Sequence, residues 1–305
     1  MQREKMVAAM TDIMANFTSY LGKHLPDDIV TKLGKLRSAE ESPLAKVVYD
    51  SMFENLDKAD ALNRPCCQDT GVIQFFIKAG ADFPLLSDVR EILDEAVRRA
   101  TQEAPLRHNA VEVFAEKNTG NNTGERIPWV DWEIVPNDSG IHLDVYMAGG
   151  GCSLPGQGKT LMPAAGYEGV VQFVFDVMTS YGVNACPPLL VGIGIGGSIE
   201  VAANLSKKAL FRPIGSRHPD PRGVGMEQLI EKGLKFYEDH ILPKKHYRTP
   251  TDQERPLFLK LADSLRADGA ADKNEKELQG MIFDIAREND TEPKDFFSAF
   301  YQVLL

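Results

Sequence analysis

The sequence predicts a mixed α/β (α+β) region over residues 1–220, followed by an all-helical segment over residues 221–305. Three observations carry this reading. Strand-like runs such as VIQFFIK (72–78) and the alternating HLDVYM (142–147) lie among longer stretches whose apolar residues recur at three- and four-residue spacing. Most of the glycines and all four cysteines fall before residue 220. Charge density then rises, from 21 Lys/Arg and 28 Asp/Glu in residues 1–220 to 13 and 16 in the shorter remainder. That shift separates a core with many special backbone positions from a solvated helical appendage.

The first part opens with helices. Met6, Met10, Ile13, Phe17 and Leu21 mark one, and Pro26-Asp27-Asp28 starts a second that runs through Leu33 and Leu36. Ser42-Pro43 starts a third, with Leu44, Val47, Val48, Met52 and Leu56 along one face. The loop NRPCCQDTG (63–71) feeds the strand at 72–78. Leu86–Ala100 reads as an amphipathic helix capped by Ser87, with Asp88 and Glu91 in its first turn. Residues 117–131, with Asn-Thr-Gly twice, read as a surface loop or an active-site wall. Strands are expected at 131–136 and 141–147, and a helix at 166–180. Leu189–Ile195 reads as the most buried strand, and Ser198–Leu210 as the helix after it. In the second part, Met226–His240, Gln253–Leu265, Asn274–Glu288 and Pro293–Leu305 show helical spacing. The apolar ending DFFSAFYQVLL is expected to continue beyond this sequence or to be covered.

Composition excludes several classes. With 43% hydrophobic and 26% charged residues the chain can bury a sizeable core and is not disordered. A net charge of −10 repels phosphate backbones, so a general nucleic-acid coat is not expected. The longest apolar stretch, PPLLVGIGIGG (187–197), is far short of a membrane span, and the amphipathic N-terminus lacks a signal peptide's apolar region. Four cysteines do not make a disulfide framework, which fits a cytoplasmic protein keeping thiols for packing or chemistry.

Three of those thiols lie in Gly/Pro-rich loops: Cys67 in CCQDTG, Cys152 in GGGCSLPG and Cys186 in NACPP. Cysteine is often buried as a small hydrophobe. Beside Gln68-Asp69-Thr70-Gly71, however, polar partners and backbone N–H groups favour a thiolate or a metal ligand, and soft thiolates select iron–sulfur clusters, zinc or copper. No close CxxC pair is present, so a cluster would be assembled from distant loops. Arg107 and His108 in PLRHNAVEVF are either an ordinary surface pair or a carboxylate grip. Arg212, Arg217 and His218 in RPIGSRHP are either an anion-binding loop or a plain turn. GIGIGGS (192–198) lacks the glycine spacing and the following acid of a dinucleotide site.

Assembled, these loops resemble a known family. PDDIVTKLGKL, NRPCCQDTG, PLRHNAVEVF, NTGNNTG, PWVDWEIVP, MAGGGCSLPG, MPAAGYEGVVQFVF, VNACPP and RPIGSRHP follow in order. Over residues 1–220 they are similar to the α subunits of class I iron–sulfur hydro-lyases, the family of the L(+)-tartrate dehydratases and class I fumarases. The tartrate branch is the nearer. The resemblance implies an iron–sulfur hydro-lyase α domain holding a [4Fe–4S] cluster through three cysteines, with one iron open to substrate. Carried over, Cys67 and Cys186 match two metal ligands, Gln68 and Asp69 a substrate-contacting pair, and Arg107 a carboxylate-binding arginine. Asp69 is also implied in catalysis, orienting the proton-abstracting group. Cys152 is no ligand in the pattern and is expected to be buried or channel-lining; Cys66 is expected to be incidental. A β subunit completing the site, an α2β2-type assembly and a small dicarboxylate substrate are implied as partners, either tartrate or malate/fumarate.

The chain also departs from that pattern. Residues 221–305 contain no cysteine, so the third cluster cysteine and the downstream histidine are missing. A labile or absent cluster and low activity are therefore expected. The first region is accordingly read as an incomplete domain. The tail, from KFYEDHILPKKHYRTPTDQE to EPKDFFSAFYQVLL, resembles the C-terminal helical domain of class I lysyl-tRNA synthetase, which makes 221–305 a segment of different origin. That resemblance allows tRNA contact by the tail, whose compact basic group is Lys244, Lys245, His246 and Arg248. The rival reading is non-enzymatic: a helical tail that binds RNA or protein, on an inactive scaffold.

Overall fold

The computed structural model describes residues 2–181, 185–221, 223–224, 228, 230, 249–266 and 275–304. The chain divides into two compact units, residues 1–227 and 228–305. The first unit holds helices α1 (Gln2–Lys23), α2 (Asp27–Ala39) and α3 (Pro43–Ala61), then β1 (Val72–Gly80) and α4 (Val89–Glu103). A small hairpin, β2 (Val111–Glu112) and β3 (Lys117–Asn118), precedes β4 (Trp129–Val135) and β5 (Ile141–Ala148). Helices α5 (Gly150–Ser153), α6 (Gly166–Ser180) and α7 (Ile199–Leu210) follow.

The main sheet has the order β4-β1-β5, with β1 parallel to β4 and antiparallel to β5. Period-2 alternation puts Ile73, Phe75, Ile77 and Ala79 of β1 on the face that α1 and α4 cover. Val89, Ile92, Leu93, Ala96, Val97 and Ala100 of α4 complete that core. The helix at 2–23 forms as its spacing predicts, but it does not bury the Met6–Ile13–Phe17 side. Its buried residues are Thr11, Met14, Ala15, Thr18, Ser19 and Gly22. Small side chains allow close approach: a Cβ on Gly22 would stand 2.7 Å from the Leu106 side chain.

Ser42 caps α3 as expected, its Oγ accepting from the Ala45 N–H at 3.5 Å. Ser87 does not cap α4. Both Ser87 Oγ and Asp88 Oδ2 accept from Arg3 Nη2 at 2.6 Å, which ties the start of α4 to α1. Long-range pairing with a guanidinium takes the place of a local cap.

The other face of the sheet receives α7. Lys207 Nζ donates to Gln74 Oε1 at 2.7 Å, Lys208 pairs with Asp131 at 2.8 Å, and Phe211 meets Phe76 edge-on. The expected strand over 189–195 does not form. Those residues form no strand or helix, and Leu189, Leu190, Val191 and Ile195 are exposed. The physical reason lies in its glycines. A Cβ on Gly192 would stand 2.2 Å from Ser206 O, and one on Gly194 would stand 2.0 Å from Ala202 O. The segment is pressed against the backbone of α7, so its side chains turn outward.

The second unit is helical in its described residues: α8 (Arg255–Arg266), α9 (Glu275–Glu288) and α10 (Pro293–Leu304). Thr251 and Glu254 cap each other's N–H groups ahead of α8. Leu257, Leu261, Ile285, Ala286 and Phe296 form its core, so the apolar ending is covered in part. The expected helix over 226–240 and the basic group Lys244, Lys245, His246 and Arg248 lie outside the described residues. Among the described residues no helix is long and apolar enough to cross a membrane.

Candidate active site

Antiparallel pairing of β1 with β5 sets Val72 opposite Ala148. The loop entering β1 (residues 63–71) and the loop leaving β5 (149–153) therefore meet at one end of the sheet. Their approach requires glycine. Gly71 has φ +81°, and a Cβ there would stand 1.9 Å from Ala148 O. A Cβ on Gly149 would stand 2.4 Å from Asp69 O.

Asp69 occupies the junction. Its Oδ2 accepts from Gly150 N–H at 2.8 Å, and its Oδ1 accepts from Asn109 Nδ2 at 2.6 Å. The Gly150 N–H is the main cause that holds the Asp69 carboxyl below the usual carboxylate range. Partial burial opposes it, and Asn109, the Arg107 guanidinium and the Gly71 N–H add to it. Asp69 is thus an ionised carboxylate at neutral pH, each oxygen accepting from a different loop.

The 105–110 loop is fixed from beneath. Buried Thr70 accepts the Arg107 N–H through Oγ1 at 3.1 Å. Asn122, buried at φ +58°, accepts from Asn109 N at 2.7 Å and Ala110 N at 3.3 Å. It also donates to Arg107 O at 2.9 Å and Thr101 Oγ1 at 3.1 Å. The backbone of Arg107 is held from both ends while its side chain reaches out beside Asp69. The NTGNNTG stretch is therefore a wall of this site.

The thiols close the ring. The Cys186 N–H donates to Gly151 O at 3.2 Å, and a Cβ on Gly151 would stand 2.6 Å from Cys186 Sγ. Cys152 follows Gly151 on α5. Burial pushes its thiol up, and the negative charges of Cys186, Cys67 and Asp69 push the same way. Cys67 Sγ lies 3.8 Å from Gln68 Oε1. Cys67, Cys152 and Cys186 are all free and exposed, so of the two expectations for Cys152, buried or channel-lining, the structure does not bury it. Cys66 is half-buried, its N–H donating to Gly22 O and its carbonyl accepting from Asn55 Nδ2.

The structure thus places Cys67, Gln68, Asp69, Arg107 and Cys186 around one end of the sheet, with Cys152 among them. Asn109, Asn122 and the glycines at 149–151 were not singled out from sequence. The only signals were the asparagine after Arg107-His108 and the repeated Asn-Thr-Gly. Arg212 instead lines a separate cavity of about 200 Å³ with Asp28, Asp144 and Phe17. The Nδ1 of His218 accepts from Asp220 N in a local turn. Val183 and Asn184 of VNACPP lie outside the described residues.

Among the described residues no three Cys, His, Asp or Glu side chains converge tightly enough to chelate a single ion. The Cys67 and Cys186 thiols are free and exposed on separate loops, soft donors of the kind that hold a polynuclear iron–sulfur cluster from distant segments. The glycine cradle at Gly151, which a Cβ would fill, agrees with that fit.

Residues 11–237 match the model of the family described as fumarate hydratase (Fumerase). The chain is 55% identical over 232 residues to the L(+)-tartrate dehydratase subunit alpha of Escherichia coli (strain K12), covering 76% of this chain and 77% of that protein. The same figures hold for the protein of that name in Shigella sonnei (strain Ss046). Identity is 34% over 228 residues, 73% of this chain and 80% of that one, to the putative L(+)-tartrate dehydratase subunit alpha of Methanocaldococcus jannaschii. None of these relatives supports the lysyl-tRNA synthetase resemblance of residues 221–305.

Proposed function

The chain belongs to the fumarate hydratase (Fumerase) family, and from that premise we propose that it is the α subunit of an iron–sulfur hydro-lyase acting on a 2-hydroxydicarboxylic acid, L(+)-tartrate, which loses water to give oxaloacetate. The tartrate assignment, over malate/fumarate, rests on relatives that carry the tartrate dehydratase name at 55% identity. The observation that carries the reading is Asp69, held by Gly150 and Asn109, with the Arg107 guanidinium near enough to help keep it ionised.

Each residue has a role that its surroundings allow. Arg107, its backbone fixed and its side chain exposed, presents a guanidinium to a substrate carboxylate. Gln68 lines the approach beside it. Asp69, with each oxygen bonded to another loop, is assigned to orient neighbouring groups, and its lowered pKa makes it a weak base toward the substrate proton. Cys67 and Cys186 would hold the [4Fe–4S] cluster, which when bound supplies a Lewis-acidic iron to ease loss of the hydroxyl group. The proton-abstracting base and further carboxylate grips are assigned to a β subunit, in an α2β2-type cytoplasmic assembly. The family match runs to residue 237, and the helical residues beyond it are assigned to a segment of different origin, akin to the lysyl-tRNA synthetase domain.

The test uses the full chain with its β subunit, handled anaerobically, and compares kcat/KM for L(+)-tartrate and malate. A site built to hydrogen-bond the second hydroxyl rejects the substrate that lacks it. Preference for tartrate supports the proposal, preference for malate moves it to fumarate hydratase, and dehydration of neither overturns it.

A further inference from the structure

Two asparagines brace the 105–110 loop, and their side chains are used differently. Asn122 spends its oxygen on two backbone N–H groups and its amide nitrogen on Arg107 O and Thr101 Oγ1. Asn109 donates from Nδ2 to Asp69 Oδ1 at 2.6 Å, but its own Oδ1 is enclosed and has no hydrogen-bond partner among the described residues. The other enclosed side-chain oxygens in that state, Thr18 Oγ1, Ser19 Oγ and Asp94 Oδ1, belong to helices α1 and α4. An enclosed acceptor without a donor costs stability. Turning the Asn109 amide over would not relieve this. Oδ1 would then face a carboxylate oxygen, acceptor against acceptor, and the enclosed atom would be Nδ2. The bond to Asp69 therefore dictates the orientation, and the Asn109 N–H, held by Asn122 Oδ1 at 2.7 Å, fixes where the side chain starts. A side chain serving packing alone would be apolar here, since leucine has nearly the same size and carries no acceptor.

We infer that Asn109 is a positioning residue, which acts through Asp69 by fixing the plane of its carboxylate and does so at a cost in stability. The inference rests on the hydro-lyase reading above, in which Asp69 orients the groups that react. A carboxylate held only by the Gly150 N–H on Oδ2 would pivot about that bond. The Asn109 donor on Oδ1 removes the pivot. A fixed carboxylate keeps the group it orients within the narrow geometry that proton transfer needs. Because Asn109 works at one remove from substrate, its effect falls on kcat more than on KM.

The test uses Asn109→Leu and Asn109→Asp in the full chain. Leucine removes the donor to Asp69 together with the enclosed acceptor, and half-buried Asp69 can turn to water for the lost bond. Its Tm should therefore match or exceed that of wild type. With the β subunit, its kcat for L(+)-tartrate should fall by about 10-fold or more while KM changes by less than about threefold. Aspartate keeps the shape but sets acceptor against acceptor, so it should lower both Tm and kcat. Amide exchange at Gly150, measured on the full chain by itself, needs no turnover. It should be faster in Asn109→Leu than in wild type at neutral pH, because the carboxylate that protects the N–H is free to swing. A leucine variant that melts lower than wild type, or exchanges Gly150 at the wild-type rate, would show Asn109 to be a packing residue and overturn the inference. Normal wild-type turnover with kcat unaltered in Asn109→Leu overturns the inference alone and leaves the hydro-lyase reading standing. A wild-type enzyme that dehydrates neither tartrate nor malate overturns both.

Discussion

Asp69 and Gly150 stand 81 residues apart in sequence and are joined by a 2.8 Å hydrogen bond, the Gly150 N–H donating to Asp69 Oδ2. Because Asp69 Oδ1 takes a second bond from Asn109, one carboxylate fastens three loops to each other. Asp69→Asn replaces an acceptor by an NH₂ group that must face either the Gly150 N–H or the Asn109 amide, donor against donor. Turnover with the β subunit should fall by about 10²-fold or more, as for a misaligned acid–base site. Far-UV circular dichroism should be unchanged. Turnover equal to wild type would remove Asp69 from the mechanism.

The same bonds set a pH dependence. The folded-state pKa of Asp69 is lowered, chiefly by the Gly150 N–H, so its contribution is present above its unfolded value of about 3.9. It is lost as pH falls through the lower folded value. Amide exchange of Gly150 should stay protected from neutral pH down to about 4 and be released only below that. Release already at pH 6 would show that the carboxylate bond is not what protects it.

Two glycines with similar φ separate conformation from crowding. Gly71 has φ +81° and would put a Cβ 1.9 Å from Ala148 O; Gly120 has φ +76° with nothing within 4 Å. Gly120→Ala should cost about 1 kcal/mol, the left-handed penalty alone. Gly71→Ala must also move backbone and should cost about 3 kcal/mol or more. Thermal melts resolve the difference, at roughly 2–4 °C per kcal/mol for a unit of this size. Equal shifts would mean that the β1–β5 end yields freely.

The contrast between these glycines also marks what the sequence could show. Helix α4 was legible because its apolar period and its buried face coincide, from Val89 to Ala100. Helix α1 was legible as a helix but not in its orientation, because Ala15, Thr18 and Gly22 are chosen for close approach and not for apolar bulk. The apolar run at 189–195 had the composition of a buried strand, yet strand formation needs a partner ladder, which composition does not encode. In the site, the family blocks pointed to Cys67, Gln68, Asp69, Arg107 and Cys186. What escaped notice was the set of bonds between blocks, since Asn109, Asn122 and Gly150 act through contacts 12 to 81 residues away. The placement of Cys152 beside the Gly151–Cys186 contact is likewise set by the β1–β5 pairing, which no motif displays.

Asn122 carries the last prediction because all its side-chain capacity is used inward. Two backbone N–H groups, of Asn109 and Ala110, donate to its Oδ1, and its Nδ2 donates to Arg107 O and Thr101 Oγ1. Asn122→Ala strips partners from two backbone N–H groups and one carbonyl at a position 2% exposed, where water cannot readily replace them. Its φ of +58° adds a penalty that alanine bears and glycine does not. The alanine variant should lose about 2–4 kcal/mol, and Asn122→Gly about 1 kcal/mol less than that, each read from chemical denaturation. Substrate affinity gives the functional half of the test. With the Arg107 carbonyl released, the guanidinium loses its fixed origin, so KM should rise more than kcat falls in the assembled enzyme. A variant that loses stability while leaving KM untouched would show that Arg107 does not hold the substrate, and that the 105–110 loop serves packing alone.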